Sequence, residues 1–239
     1  MATGDSPGEL IGVGRSADVF ALDKDRVLRR FRFPHDVRAE AELMIYLDRA
    51  GFPVPKVYDA DGADLVMERL DGRDMLALLA GRPWLAKRSG ELLADMHNRL
   101  HKIEAPAGLR PFGNPDAPSE RVPRDKVLHM DLHPGNVMLT SRGPVVIDWT
   151  NVAAGPAGAD VATAYLIMAS SEVDDLPLLV RLGLRPIRAT VLRTFRAAAH
   201  DDPTPHMATA ARVRMRDPNV RPAEADALLR MAQEAEQVR

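Results

Sequence analysis

Apolar and polar residues alternate through two stretches near the start of the chain, "SADVFAL" and "DRVLRRFRF", with the turn-forming "DKD" between them. Alternation of that kind puts one face of a strand in a core and the other in water, so the pattern predicts an antiparallel hairpin. The period then lengthens. "DVRAEAELMIYLDRAG" is rich in helix formers and closes on Gly51, where a helix end favours a left-handed residue. "VPKVYDA" and "ADLVMERL" return to strand-like patterning. From Asp71 onward helices dominate: "PWLAKRSGELLADMHNRLHKI" opens on proline, and Leu85, Leu92, Met96, Leu100 and Ile103 are predicted to share a face. The prolines of "EAPAGLRPFGNPDAPSERVPRD" forbid regular structure, and irregular stretches of that length often carry function. After it, "NVMLT" and "PVVID" around "SRG" predict a second small hairpin. "AGADVATAYLIMASS", "PIRATVLRTFRAAAHD" and "RPAEADALLRMAQEAEQV" are helical by period. Strands first and helices afterwards predict an α+β chain in two parts, residues 1–70 and 71–239.

Composition narrows the function classes. A net charge of −2 and a pI near 6.4 supply no basic field for nucleic acid or an anionic membrane. The absence of cysteine excludes a disulfide scaffold, a thiolate zinc site and a cysteine nucleophile. "MATGDSPGELIG" has neither a basic nor an apolar leader region, and no apolar run approaches a membrane span, so a cytoplasmic protein, monomer or weak dimer, is expected.

The chemistry concentrates in "VLHMDLHPGNVML". Asp131 and Asn136 flank a loop that Pro134 and Gly135 force to turn. Twelve residues past Asn136, Asp148 is read as ending the second strand of the small hairpin, in "VVIDW". A carboxylate there and an asparagine on the preceding loop make a hard oxygen pair suited to Mg2+. Asp131 is placed to accept a proton from an attacking hydroxyl. One base and two metal ligands on adjoining loops is the arrangement used for phosphoryl transfer. A lid over phosphates should then lie near the N-terminus. "LIGVGRSADVF" is read as placing Gly12 and Gly14 in a turn between strands, where backbone amides approach phosphate oxygens, with Val19 roofing an adenine. Arg29, on one face with Val27 and Phe31, is the expected phosphate-holding cation, and Glu40 its helix partner. Backbone groups of Glu68 and Leu70 are expected to read the adenine edge.

Taken together, "LHMDLHPGNVML…VVIDW" resembles the catalytic signature of the aminoglycoside phosphotransferase and choline kinase group. The resemblance runs from the glycine turn to about Ala164. It implies a bilobal protein-kinase-like fold, with a small antiparallel-sheet N-lobe plus one helix and a mainly helical C-lobe. It also implies ATP- or GTP-dependent, Mg2+-assisted phosphorylation of a hydroxyl on a small molecule. Matched position by position, Asp131 takes the place of the base and Asn136 and Asp148 those of the metal ligands. Arg29 stands at the phosphate-binding lysine, Glu40 at its partner, and Asp160 in "AGADVA" at a structural aspartate that buttresses the loop. Several positions depart from the group. Ala17 replaces a glycine, arginine replaces lysine at position 29, Met130 replaces a small residue, and Thr150 follows "DW" where an acidic residue is frequent. No activation loop separates "IDW" from the next helix.

Other readings stand beside these. "HMDLH" invites a metal-dependent hydrolase through His129 and His133, with His97, His101, His200 or His206 completing a site, but no spacing selects among them. A catalytically degenerate nucleotide-binding module is a second alternative. Glu42 lies two positions from Glu40, although Leu43 and Leu47 continue the apolar face from Glu40. Asp160 is equally readable as an N-terminal helix aspartate favoured by the dipole. Trp149 reads as filler, and the arginines of "RVRMRDPNVR" read as a solvated face. For the acceptor, an aminoglycoside would want carboxylates such as Asp116, Glu120, Glu172, Asp174 or Asp175. Choline would want an aromatic cage that 5% aromatic content makes less expected. Sugars, amino alcohols and macrolides stay open.

Overall fold

The computed structural model describes residues 8–113, 125–170, 178–217 and 220–237. Its elements run β1 (Glu9–Val13), β2 (Ala17–Ala21), β3 (Arg26–Phe31), α1 (Arg38–Arg49), β4 (Val57–Asp61), β5 (Asp64–Glu68), β6 (Arg73–Asp74), α2 (Met75–Gly81), α3 (Ala86–Leu100), β7 (Lys126–Leu128), β8 (Val137–Thr140), β9 (Gly143–Val146), β10 (Ala153–Gly155), α4 (Ala157–Ser170), α5 (Leu178–Ala198), α6 (Met207–Arg214) and α7 (Pro222–Gln237). They divide into two compact units. One comprises residues 1–73 and 138–150, the other 74–137 and 151–239.

In the first unit five antiparallel strands lie in the order β1-β2-β3-β5-β4. The β2–β3 hairpin turns on "DKD", where Asp23 Oδ1 accepts from the amides of Asp25 and Arg26. An aspartate bonding its own backbone ahead of it is what that turn requires. Helix α1 buries Ala41, Leu43, Met44 and Leu47. It ends in a Schellman motif: Gly51 has φ +77°, and the Phe52 amide donates to the Leu47 carbonyl at 2.9 Å. Phe52 then packs edge-on against Trp149, ring centres 5.7 Å apart. The β8–β9 hairpin is tied to the same unit by the Val146 amide on the Pro53 carbonyl (2.9 Å) and by Arg142 on Glu68 and the Val54 carbonyl. Gly72 passes so close to the Leu139 carbonyl that a Cβ would overlap it.

The second unit is built on helices. α3 lies against α5, and the contact is close because Gly90 faces Val191 and Thr194, where a Cβ would come within 2.7 Å of the Val191 carbonyl. Asn98 fastens the far end, donating to the Ala198 carbonyl and accepting from the His200 amide. α4 is buried along nearly its whole length, from Gly158 to Met168 and at Ser170, as an all-round apolar helix must be. It packs with α6 and α7 around Leu128, Met130, Leu166, Ala210 and Leu228. The short strands β7 and β10 pair antiparallel beside it, Leu128 opposite Ala153.

Three local expectations change. Gly12 lies inside β1, opposite Val19, so only Gly14 belongs to the turn, its amide on the Ala17 carbonyl at 2.8 Å. Asp148 lies two residues beyond β9, in the left-handed region with φ +65°. The buried face of α3 runs through Gly90, Leu93, Met96, His97 and Leu100, while Leu92 is only half-buried. Gly90 sits on that face because α5 comes close to it there.

Candidate functional site

Antiparallel register builds the first half of the site. Gly12 pairs with Val19, Val19 with Arg29 and Arg29 with Leu65, so these four form one cross-strand row on a single sheet face. Arg29 carries the chemistry of that row. Its Nη1 donates to Glu40 Oε1 at 2.6 Å, and its Nη2 donates to Asp148 Oδ1 at 3.1 Å and Thr150 Oγ1 at 2.8 Å. The guanidinium also lies over the Phe31 ring, 4.7 Å from its centre. Thr150 in turn donates to Asp148 Oδ1 at 2.8 Å. Arg29 and Glu40 are buried, with side chains 10% and 5% exposed, whereas that of Asp148 is 45% exposed. Burial pushes the Glu40 carboxyl above its ordinary range. Arg29 opposes that rise and the nearby Asp148 charge adds to it. Among the described residues Glu40 Oε2 has no hydrogen-bond partner. Arg30, on the other face, pairs with Asp64.

At the end of β5, Glu68 sends its amide to the Lys56 carbonyl at 2.8 Å and its carboxylate to Arg142. Leu70 is half-buried just beyond it.

The second unit holds the loop of Asp131 and Asn136. Asn136 Nδ2 donates to the Asp131 carbonyl at 2.8 Å and to Asp131 Oδ2 at 3.2 Å. His133 Nδ1 accepts from the Gly135 amide at 3.1 Å and closes the turn that Pro134 begins. His129 is fully buried, and its Nδ1 accepts from the Asp131 amide at 3.2 Å. Both histidines therefore use Nδ1 to hold the loop. Among the described residues, the His and acidic side chains with metal-ligand spacing are instead His97, His101 and Asp160, all buried and already joined to one another or to the loop.

Asp160 is the support beneath this loop. Fully buried at the start of α4, it accepts from the Met130 amide at 2.7 Å, the His129 amide at 3.1 Å and His101 Nε2 at 3.1 Å. Met130 sits at φ +65°, an uncommon conformation for a side chain of its size. The position therefore buttresses the loop and is no ordinary dipole-favoured aspartate. Burial would raise its pKa, but the hydrogen bond from His101 and the nearness of His97 hold it well below the ordinary carboxylate value.

Two residues near the site are missed by sequence reasoning. Thr150 completes the contacts of Arg29 and Asp148, and only its place two residues after Asp148 hints at this. Arg214 belongs to the run read as solvated, and Arg212 and Arg216 are indeed exposed. Arg214 itself is 11% exposed, bonded to Asp217 (2.8 Å) and Glu224 (3.1 Å), with Nη1 3.9 Å from Asp131 Oδ1. The carboxylates weighed for an aminoglycoside, Asp116, Glu120, Glu172, Asp174 and Asp175, lie outside the described residues.

A five-stranded antiparallel sheet carrying one helix, an arginine on its third strand paired with a glutamate of that helix, and an aspartate-buttressed loop in a helical unit define a protein-kinase-like α+β fold. Solved structures agree at the level of fold. The gentamicin complex of APH(2'')-IIa matches with TM-score 0.58 and 13% identity, covering 96% of this chain and 91% of that one. Choline kinase LicA from Streptococcus pneumoniae matches with TM-score 0.57 and 14% identity, over 97% and 93%. The model of the phosphotransferase enzyme family matches residues 8–126 and 116–206, and the chain belongs to that family. Among curated relatives, streptomycin 6-kinase of Streptomyces griseus is 31% identical over 117 residues, 36% of this chain and 37% of that protein. A probable bifunctional tRNA threonylcarbamoyladenosine biosynthesis protein of Methanosarcina mazei is 31% identical over 109 residues, 38% of this chain and 20% of that protein. The chain thus matches well under half the length of either relative. Among the described residues no helix is long and apolar enough to cross a membrane.

Proposed function

We propose that the protein transfers the γ-phosphoryl group of ATP or GTP to a hydroxyl of a small molecule. The observation that carries this reading is the Arg29 guanidinium, fixed between Glu40 and Asp148 on the same sheet face as Gly12 and Val19. A cation held in place by two carboxylates and a threonine hydroxyl is preorganised to meet phosphate oxygens without reorganising when charge develops. Arginine presents a planar fork where lysine would offer a point charge.

Each unit offers a donor suited to a divalent ion. The half-exposed Asp148 carboxylate and Asn136 Oδ1 are hard oxygen donors, and magnesium takes one or two such ligands from protein and the rest from phosphate and water. When bound, the ion would neutralise charge on the triphosphate. Asp131 would accept the acceptor hydroxyl's proton as the new O–Pγ bond forms and the bond from Pγ to the bridging oxygen breaks, releasing the nucleoside diphosphate. Asn136 holds Asp131 Oδ2 and so fixes the direction of that carboxylate. Gly14 lets the chain turn above the phosphates, Val19 covers the base, and main-chain groups at Glu68 and Leu70 meet its edge.

The relatives support a small hydroxylated acceptor. Similar proteins include streptomycin 6-kinase and a choline kinase, and a solved structure of similar fold is amicoumacin kinase with AMP-PNP, Ca2+ and Ami. An aminoglycoside, a sugar or an amino alcohol is the class to test. Replacing Asp131 with Ala is expected to lower turnover at least ~100-fold, as loss of a general base does, with nucleotide affinity nearly unchanged. Turnover at the wild-type level in that variant would end the assignment.

A further inference from the structure

We infer that His101, clamped between Asp160 and Asp201, is a positioning residue that holds the Asp160 carboxylate on the backbone amides preceding Asp131. The inference rests on the reading of Asp131 as the base. His101 caps the C-terminal end of α3, where helix carbonyls favour a cation. Its Nε2 lies 3.1 Å from Asp160 Oδ2 and its Nδ1 2.9 Å from Asp201 Oδ2. A neutral imidazole has one N–H, but here both ring nitrogens face carboxylate oxygens, so both carry protons and the ring is an imidazolium. A buried carboxylate is tolerated when a charge and hydrogen bonds compensate it. Asp160 receives both, the charge from His101 and the bonds from His129, Met130 and His101.

The groups facing this ring are few. Asp160 approaches from α4 and Asp201 from the segment after α5. His97, one turn earlier on α3, lies with Nδ1 3.5 Å from the same Asp160 oxygen. His97 Nε2 meets the Leu132 carbonyl at 3.3 Å, so α3 touches the residue after Asp131 directly and reaches the amides before it through Asp160. His200 faces Asp201 from the neighbouring position. Burial alone would lower the His101 pKa, and the hydrogen bonds to Asp160 and Asp201 outweigh it, raising the value to about 9. Above that pH Asp160 loses its cation while the Met130 turn at φ +65° still needs its carboxylate.

The experiment compares the full chain with Asp201→Asn. This side chain is partly exposed, so the replacement removes one charge and leaves the fold. Three quantities are followed against pH: the His101 imidazole by nitrogen NMR, the Met130 amide resonance, and kcat with Mg-ATP, using an accepted acceptor or water. The expected result is a wild-type Met130 amide and an alkaline limb of kcat that titrate together with His101 near pH 9. In Asp201→Asn all three are expected to move down by about one unit, the size of a single charge contact, with KM for ATP within about twofold. A generally loosened fold would raise KM and leave the midpoint in place.

The inference is overturned by a His101 ring that is neutral at pH 7, by stoichiometric zinc on His97 and His101, or by a Met130 amide that ignores the His101 titration. If the wild type turns over no ATP, the kinase reading fails, and the Met130 amide still decides the positioning role by itself.

Discussion

Arg29 shows how one side chain sets several requirements at once. Two nearly buried charges, Arg29 and Glu40, are stable together because each compensates the other. Arg29→Met is expected to cost on the order of 3–5 kcal/mol in chemical denaturation, since the Glu40 carboxylate would be left buried alone. Arg29→Lys keeps the charge but loses the fork that reaches Glu40 and Thr150 together. Its unfolding midpoint should change less than that of Arg29→Met, and KM for the nucleotide should rise about tenfold. These residues were legible because alternation along "RVLRRF" separates Arg29 from Arg30. Thr150 was not, because its role depends on where Arg29 Nη2 arrives, which no spacing encodes. Asp148 was legible as a ligand type but not in its backbone, since φ +65° follows from the turn after β9. At the same scale, His101 links stability to pH. Its folded pKa is raised, so its contribution is complete below about 6.5 and is lost as pH rises through about 9. The magnitude is roughly 3 kcal/mol. Thermal midpoints measured from pH 6 to 10 should fall over that window in wild type, and the fall should be largely absent in His101→Gln.

Elements were readable where packing has one side. The β2–β3 hairpin, α1 with its Gly51 terminus, the β4–β5 pair and the β8–β9 hairpin each set apolar residues at the period of the element. Two features escaped that logic. β7 and β10 have three residues each, too few for alternation to register, and α6 buries mainly alanines, whose weak hydropathy hides the helix face. Met96 and Leu100 lie on the buried face of α3 as expected, and Leu92 does not, because close approach to α5 selects Gly90 over a large apolar residue. Gly90→Leu should destabilise the protein by about 1–3 kcal/mol or more through overpacking, whereas Gly81→Leu, whose Cβ meets nothing, should cost less than about 1 kcal/mol. Equal losses in denaturant titrations would contradict the packing account of that helix pair.

At the scale of the molecule, each unit supplies a distinct set of groups. The sheet unit carries Gly12, Gly14, Val19, Arg29, Glu40 and Asp148, and the helical unit carries Asp131, Asn136 and the hydrogen-bonded Asp160–His101–Asp201 chain. The α+β class and the family were legible from the order of these motifs, because phosphoryl transfer asks for a base, two hard oxygen ligands and a phosphate-holding cation. The acceptor was not legible, since acceptor choice follows from the shape and charge of a pocket. The central claim is that this chain uses a magnesium–nucleotide complex through Asp148. Its most direct test is thermal unfolding of wild type and Asp148→Asn, with and without Mg2+ and ATP or GTP. A nucleotide at about 100 times its Kd adds about 2.7 kcal/mol, so a magnesium-dependent rise of several degrees is expected in wild type and a much smaller one in Asp148→Asn. No shift with either nucleotide, or an equal shift in both proteins, would contradict the account.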